Sequence, residues 1–210
     1  MHVQVYEGVG CHGSSLRRGH RRCGSRGAGR GTSSHPPLEG QPPRALWRAL
    51  RWEDGHPQFI LSLREKIGTA PLPLVGVTAI VFKDEKVLLG KRADNGAWQS
   101  VSGIVDPGEE PADAAVRECL EEAGVVVKAT RLALVQQIPR ITYANGDQAD
   151  YLDLVFRCEW VSGDPHPADG ELTEVGWYGL GELVEVDQFH VRKIALALAE
   201  DDPAVFQGGR

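Results

Sequence analysis

The chain has 210 residues, 41% of them hydrophobic and 25% charged, with a net charge of −6, which suits one globular domain with extra segments attached. No apolar run approaches the roughly 18 residues of a membrane span, so a soluble protein with no membrane partner is expected. Its four cysteines, Cys11, Cys23, Cys119 and Cys158, show no paired zinc-ligand spacing and read as free thiols of a reducing, cytoplasmic compartment.

The charge divides the chain. Residues 1–52 hold nine arginines and no lysine against Glu7 and Glu39, an excess of seven positive charges, whereas residues 53–210 hold 14 basic and 27 acidic residues, an excess of 13 negative charges. The first segment is rich in Gly, Ser, Pro and His and lacks apolar periodicity before Leu46, the signature of a disordered extension. An arginine-rich arm for nucleic acid or for targeting is one reading of it. The favoured one is upstream sequence translated from a start codon placed too early, because arginine without lysine is the bias of GC-rich coding. A nucleic-acid partner is therefore not expected.

Residues 53–73 read as a lead-in. A helix over 57–67 places Phe59, Ile60, Leu63 and Ile67 on one face, for packing on the domain or on a second copy in a homodimer. Pro71 and Pro73 then stop it. A strand over 74–82, a polar turn at Lys83, Asp84, Glu85 and Lys86, and a returning strand over 87–92 make a hairpin. Asp94, Asn95 and Gly96 form the next turn, and 98–101 leads into a Gly-bracketed loop.

The run 103–125, GIVDPGEEPADAAVRECLEEAGV, holds the densest chemical signal. Pro111 after two glutamates marks a helix start, and Gly124 a left-handed stop, giving a helix over 111–123. Ala112, Ala115, Val116, Cys119, Leu120 and Ala123 supply its buried stripe, with Glu118 and Glu122 at the rim. Glu118 lies three residues from Glu121 and four from Glu122, so the three carboxylates meet at one edge. Like charges at that spacing repel, and clustered carboxylate oxygens suit a hard divalent ion such as Mg²⁺ or Mn²⁺.

Strands are expected over 125–129, 133–138, 149–160 and 175–178, with a turn at Asn145, Gly146 and Asp147, a helical section from 180 to 183 and a closing helix over 191–198. The alternation predicts an α+β fold, a mixed sheet sandwiched between helices over 74–200, with 201–210 as a tail.

The run 103–125 resembles the Nudix box: Gly, five residues, Glu, seven residues, Arg-Glu, an apolar residue, any residue, Glu-Glu, any residue, Gly and an apolar residue. Gly103, Glu109, Arg117, Glu118, Cys119, Glu121, Glu122, Gly124 and Val125 fill those slots. Ser102 replaces one glycine of a frequent Pro-Gly-Gly lead, and Asp106 stands where glutamate is common. The resemblance implies the Nudix α/β/α fold and metal-dependent hydrolysis of a nucleoside diphosphate linked to another group. By the same pattern Glu118, Glu121, Glu122 and the Gly103 carbonyl would hold Mg²⁺ or Mn²⁺, Arg117 would orient the carboxylates, and Glu109 would order the loop or pair with Arg117. The general base would be a box glutamate or one of Asp147, Asp150, Asp153, Glu171 and Glu174. Arg92 is the candidate phosphate contact, and Trp98 and Tyr143 are candidates for stacking on a base. Family rules of thumb tie a downstream proline to ADP-ribose and a tyrosine to dinucleoside polyphosphates. Pro139 and Tyr143 lie near both positions, so the cue cancels and leaves the substrate open between nucleoside triphosphates and nucleotide sugars. The alternative is a nucleotide-sensing regulator that binds without cleaving; the intact box favours the enzyme.

Overall fold

The computed structural model describes residues 57–183 and 185–206. The extension 1–52, with Cys11 and Cys23, lies outside the described residues. Helix α1 (Gln58–Ile67) closes at Gly68, whose φ of 58° needs a residue without a side chain. Only Ile60 of its expected apolar face is buried, with Phe59 half-buried; Leu63 and Ile67 are 37% and 38% exposed.

Strand β1 (Leu72–Lys83) is the spine of the sheet. It starts two residues before the expected point and includes Pro73, which is exposed near the strand's beginning, where the missing N–H costs least. Along one side β1 pairs in parallel with β6 (Gln148–Ser162). Its other side is shared between β4 (Val101–Ile104), opposite Gly76 to Ala79, and β2 (Lys86–Arg92), joined only at Phe82 and Lys83. The expected hairpin is therefore a short junction whose strands part. Beyond it lie β3 (Trp98–Gln99) and β7 (Leu172–Gly179), both paired antiparallel with β2.

The two strands expected over 125–138 are one, β5 (Val126–Thr142), paired antiparallel with β6 and broken by register shifts. Bulges let a long strand absorb Thr130 and Arg131 without ending. A short β8 (Val205–Phe206), in the stretch expected as tail, adds a parallel edge to β5. Among the described residues the sheet is thus mixed and eight-stranded.

Because side chains alternate along a strand, β1 serves two layers. Val77, Ala79 and Val81 meet Ala114, Ala115, Cys119 and Ala123 of helix α2 (Pro111–Ala123) on one side. Ile80 and Phe82 meet Ile194 and Ala197 of helix α3 (Gln188–Leu198) on the other. Leu72 and Leu74 pack with Ile60 in a third cluster under α1. Helix α3 is also tied down by charge: buried Lys193 contacts Asp153 at 2.8 Å and Thr78 at 3.0 Å, while Gln136 donates to Asp153 at 2.9 Å.

Two expectations for α2 need correction. Leu120 is 47% exposed, while Glu118 and Glu122 are 5% and 1% exposed. The helix is rolled so that its acidic edge faces the sheet. Cys119 and Cys158 are free and buried, and burial pushes the Cys158 thiol up to about 12, which keeps it protonated and inert. Among the described residues no helix is long and apolar enough to cross a membrane.

Candidate active site

Pro111 opens α2 at its first turn, and Gly124 closes it with φ 68° and ψ 16°. A strap between β6 and β7 secures that end: His166 N–H donates to the Ala123 carbonyl at 3.1 Å and Ala168 N–H to the Glu122 carbonyl at 3.0 Å. These are carbonyls a helix end leaves without internal partners. The His166 ring covers Gly124 so closely that a Cβ there would stand 2.1 Å from it.

Strand β4 brings Gly103 opposite Val77 and against α2. A Cβ on Gly103 would lie 2.2 Å from the carboxyl carbon of Glu118. The missing side chain makes the space in which Glu118 is buried.

Arg117 gathers the other carboxylates. It donates from Nε and Nη2 to Glu109 at 2.7 and 2.8 Å, from Nη1 to Glu118 at 2.6 Å and Glu121 at 3.1 Å, and from Nη2 to the Ile104 carbonyl at 3.1 Å. Glu109 in turn accepts from Asp106 N–H at 3.0 Å and so pins the loop before the helix. Burial opposes the Arg117 charge, but Glu109 and Glu118 outweigh it and raise the pKa.

Glu122 is different. It is buried, and its Oε2 has no hydrogen-bond partner. Burial, then Glu118, Glu171 and Asp169, push its carboxyl well above the usual carboxylate range. Among the described residues no three His, Cys, Asp or Glu side chains converge as a ready-made cage; Arg117 occupies the centre of the Glu109, Glu118 and Glu121 group instead. The donor set is nonetheless all oxygen and acidic, which fits Mg²⁺ or Mn²⁺ and suits neither soft nor imidazole-seeking metals.

The remaining candidates separate clearly. Arg92, at the end of β2, is held by Asp94 through two 2.9 Å bonds and feels Glu171 and Glu122 through space. Glu171 is anchored beside it, its carbonyl accepting from Ala93 N–H at 2.8 Å and its own N–H donating to Asp169 at 3.0 Å. Of the five base candidates named from the sequence, Glu171 is the one whose charge acts on Glu122. Asp147 pairs with Arg64, exposed Glu174 with Lys91, and Asp150 with Arg140. Asp153 is not free to act as a base: parallel pairing with β1 makes β6 an interior strand, and Asp153 is buried against Lys193.

Trp98 is half-buried, packed edge-to-face on Tyr178 at 5.0 Å. Tyr143 bonds Tyr151, hydroxyl to hydroxyl at 2.8 Å, in the cluster under α1. The sequence marks Asp94 only as a turn residue and does not mark Asp169. Asp169 before Gly170 in the strap, and Arg92 and Asp94 two residues apart, were the available signals.

The sequence profile of the NUDIX domain matches residues 72–198, from the first residue of β1 to the last of α3. The chain belongs to the NUDIX family. This NUDIX chain is 32% identical over 126 residues to a MutT-like protein of Streptomyces ambofaciens, covering 60% of this chain and 76% of that one. It is 30% identical over 125 residues to an ADP-ribose pyrophosphatase of Methanocaldococcus jannaschii, covering 58% and 71%. Among solved structures, a NUDIX hydrolase from Nitrosomonas europaea superposes with a TM-score of 0.52 at 26% identity, over 64% of this chain and 76% of that one. The mixed sheet with flanking helices is thus the NUDIX fold, and the chain is a hydrolase by family.

Proposed function

We propose that the chain hydrolyses a diphosphate bond in a nucleoside diphosphate linked to a further group, a nucleoside triphosphate or a nucleotide sugar such as ADP-ribose, and that it uses Mg²⁺ or Mn²⁺. The observation that carries the reading is Glu122, a buried carboxylate with an oxygen left without a partner, on the same helix edge as Glu118. A fold that leaves such a group unsatisfied loses stability unless something binds it. Glu118, Glu121 and Glu122, with the Gly103 carbonyl, would hold the cation. NUDIX hydrolases generally use divalent metals, which supports the assignment.

When bound, the cation supplies the Lewis acidity that neutralises diphosphate oxygens and acidifies water. The protein's own groups do the rest. Arg117 keeps Glu109, Glu118 and Glu121 from flying apart, and Glu109 transmits that order to the loop through Asp106. In this reading Glu171 would accept the proton of the attacking water: its charge acts on Glu122, and its backbone is fixed by bonds to Ala93 and Asp169. Arg92 offers positive charge to a phosphate beside an otherwise acidic rim. Base stacking is not assigned to Trp98 or Tyr143, whose rings are committed to neighbours.

The test is a product analysis by ³¹P NMR over nucleoside triphosphates, dinucleoside polyphosphates and nucleotide sugars, with Mg²⁺ and again with EDTA. Pyrophosphate from triphosphates, or AMP with ribose 5-phosphate from ADP-ribose, assigns the substrate class. No cleavage across the panel, or cleavage undiminished by EDTA, refutes the proposal.

A further inference from the structure

Arg92 ends β2 where that strand, the incoming β7 and the last turn of α2 are stitched together. Its backbone is opposite Leu172, Ala93 N–H holds the Glu171 carbonyl, and Ala168 N–H holds the Glu122 carbonyl. The guanidinium side chain is 26% exposed. Asp94 first, then Glu171 and Glu122, raise its pKa against burial.

Asp94 grips Arg92 through two parallel bonds, Nε to Oδ1 and Nη2 to Oδ2, both 2.9 Å. This fork takes the side-on edge of the guanidinium and leaves Nη1 for another acceptor. The turn also has bonds that do not involve the Asp94 side chain. Asn95 Oδ1 accepts from Ala97 N–H at 2.9 Å, Gly96 N–H donates to the Arg92 carbonyl at 3.0 Å, and Gly96 supplies the left-handed residue at φ 71°. With Asp94 58% exposed, the ion pair adds little to stability.

The Ala93–Glu171 backbone bond and the Arg92–Leu172 pairing hold Arg92 at the strand end beside Glu171, and without Asp94 its freed guanidinium would be drawn toward the acidic groups whose charge acts on it, Glu122 among them, since Glu122 Oε2 has no partner. It would then occupy the carboxylates a cation needs. We infer that Asp94 is a positioning residue: it locks the side-on edge of Arg92, so that the end-on edge receives a phosphate oxygen and stays off the carboxylates. This rests on the proposed diphosphate chemistry.

The test is isothermal titration calorimetry of the full chain with Mg²⁺ alone, then with inorganic pyrophosphate in the presence of Mg²⁺. Asp94→Ala should weaken pyrophosphate about tenfold, the scale of one charge-assisted contact, and weaken Mg²⁺ severalfold. Arg92→Ala should weaken pyrophosphate similarly and leave Mg²⁺ binding no weaker. In the double variant, Mg²⁺ affinity should recover and pyrophosphate should be no worse than with Arg92→Ala alone. A purely structural role for Asp94 would not produce that recovery. Melting temperatures within about 2 °C of the parent show that the fold is intact. The inference is overturned if Asp94→Ala binds both ligands as the parent does, or if its effect persists in full without Arg92. A parent that binds magnesium and pyrophosphate but cleaves no diphosphate compound refutes the hydrolase reading alone; one that binds neither overturns both.

Discussion

Gly103→Ala isolates the fit between β4 and α2. Gly103 lies in a regular strand outside the left-handed region, so the backbone tolerates alanine, and the whole effect comes from the new methyl. It would stand 2.2 Å from both the carboxyl carbon and Oε1 of Glu118, and 2.5 Å from its Cγ. Ordinary contact needs about 3.5 Å, so the carboxyl must retreat by more than about 1 Å. Glu118 is 5% exposed and bonded to Arg117 at 2.6 Å, so it cannot swing into solvent without releasing that bond. Overpacking of this kind costs about 1–3 kcal/mol. A misplacement of about 1 Å in a group that positions reacting atoms costs about a hundredfold in rate. The expected result is a folded protein, melting several degrees lower, with turnover down about a hundredfold at saturating Mg²⁺. Circular dichroism melts and initial rates of product release measure the two effects. Turnover equal to the parent would show that Glu118 against Gly103 has no part in catalysis.

Glu122→Gln keeps the shape but removes an acid whose ionised form burial, Glu118, Glu171 and Asp169 all oppose, so the metal-free melting temperature should rise at pH 7.5 while turnover falls about a hundredfold; a lower melting temperature would contradict the assignment of an unfavourably buried acid. Lys193→Met leaves Asp153 buried beside Thr78 and Gln136 without its counter-charge, and urea denaturation should show a loss of about 3–5 kcal/mol; a loss below about 1 would mean that Asp153 finds water. His190 is held down to about 4 in the fold by burial and Lys193, against an ordinary value of 6.5. A depressed histidine binds its proton more readily unfolded, so stability should fall as pH drops from about 6.5 to about 4, and His190→Gln should flatten that part of the melting profile.

The helix over 111–123 was legible because its punctuation is local: proline at the start and a left-handed glycine at the end act through their own backbone. The roll of that helix was not. Residue type argued for burying Leu120 and leaving Glu118 and Glu122 at the rim, and both inferences failed for one reason. A bare glycine on β4 lets the helix come in on its acidic edge, and Arg117 lowers the cost of bringing the carboxylates with it.

Asp153 shows the same limit on a longer scale. Between Leu152 and Leu154 it reads as the polar face of an edge strand, yet β1 pairs with β6 in parallel and makes that face interior. The charge that compensates it, Lys193, comes from α3, forty residues on. Pattern reveals where a polar residue interrupts an apolar run; it does not reveal whether the chain later returns with a partner. In this fold that difference separates Asp153, held by Lys193, Thr78 and Gln136, from Glu122, whose Oε2 has no hydrogen-bond partner. The proposed cation chemistry rests on that one unpartnered oxygen, a property that exists only once the strands have closed around it.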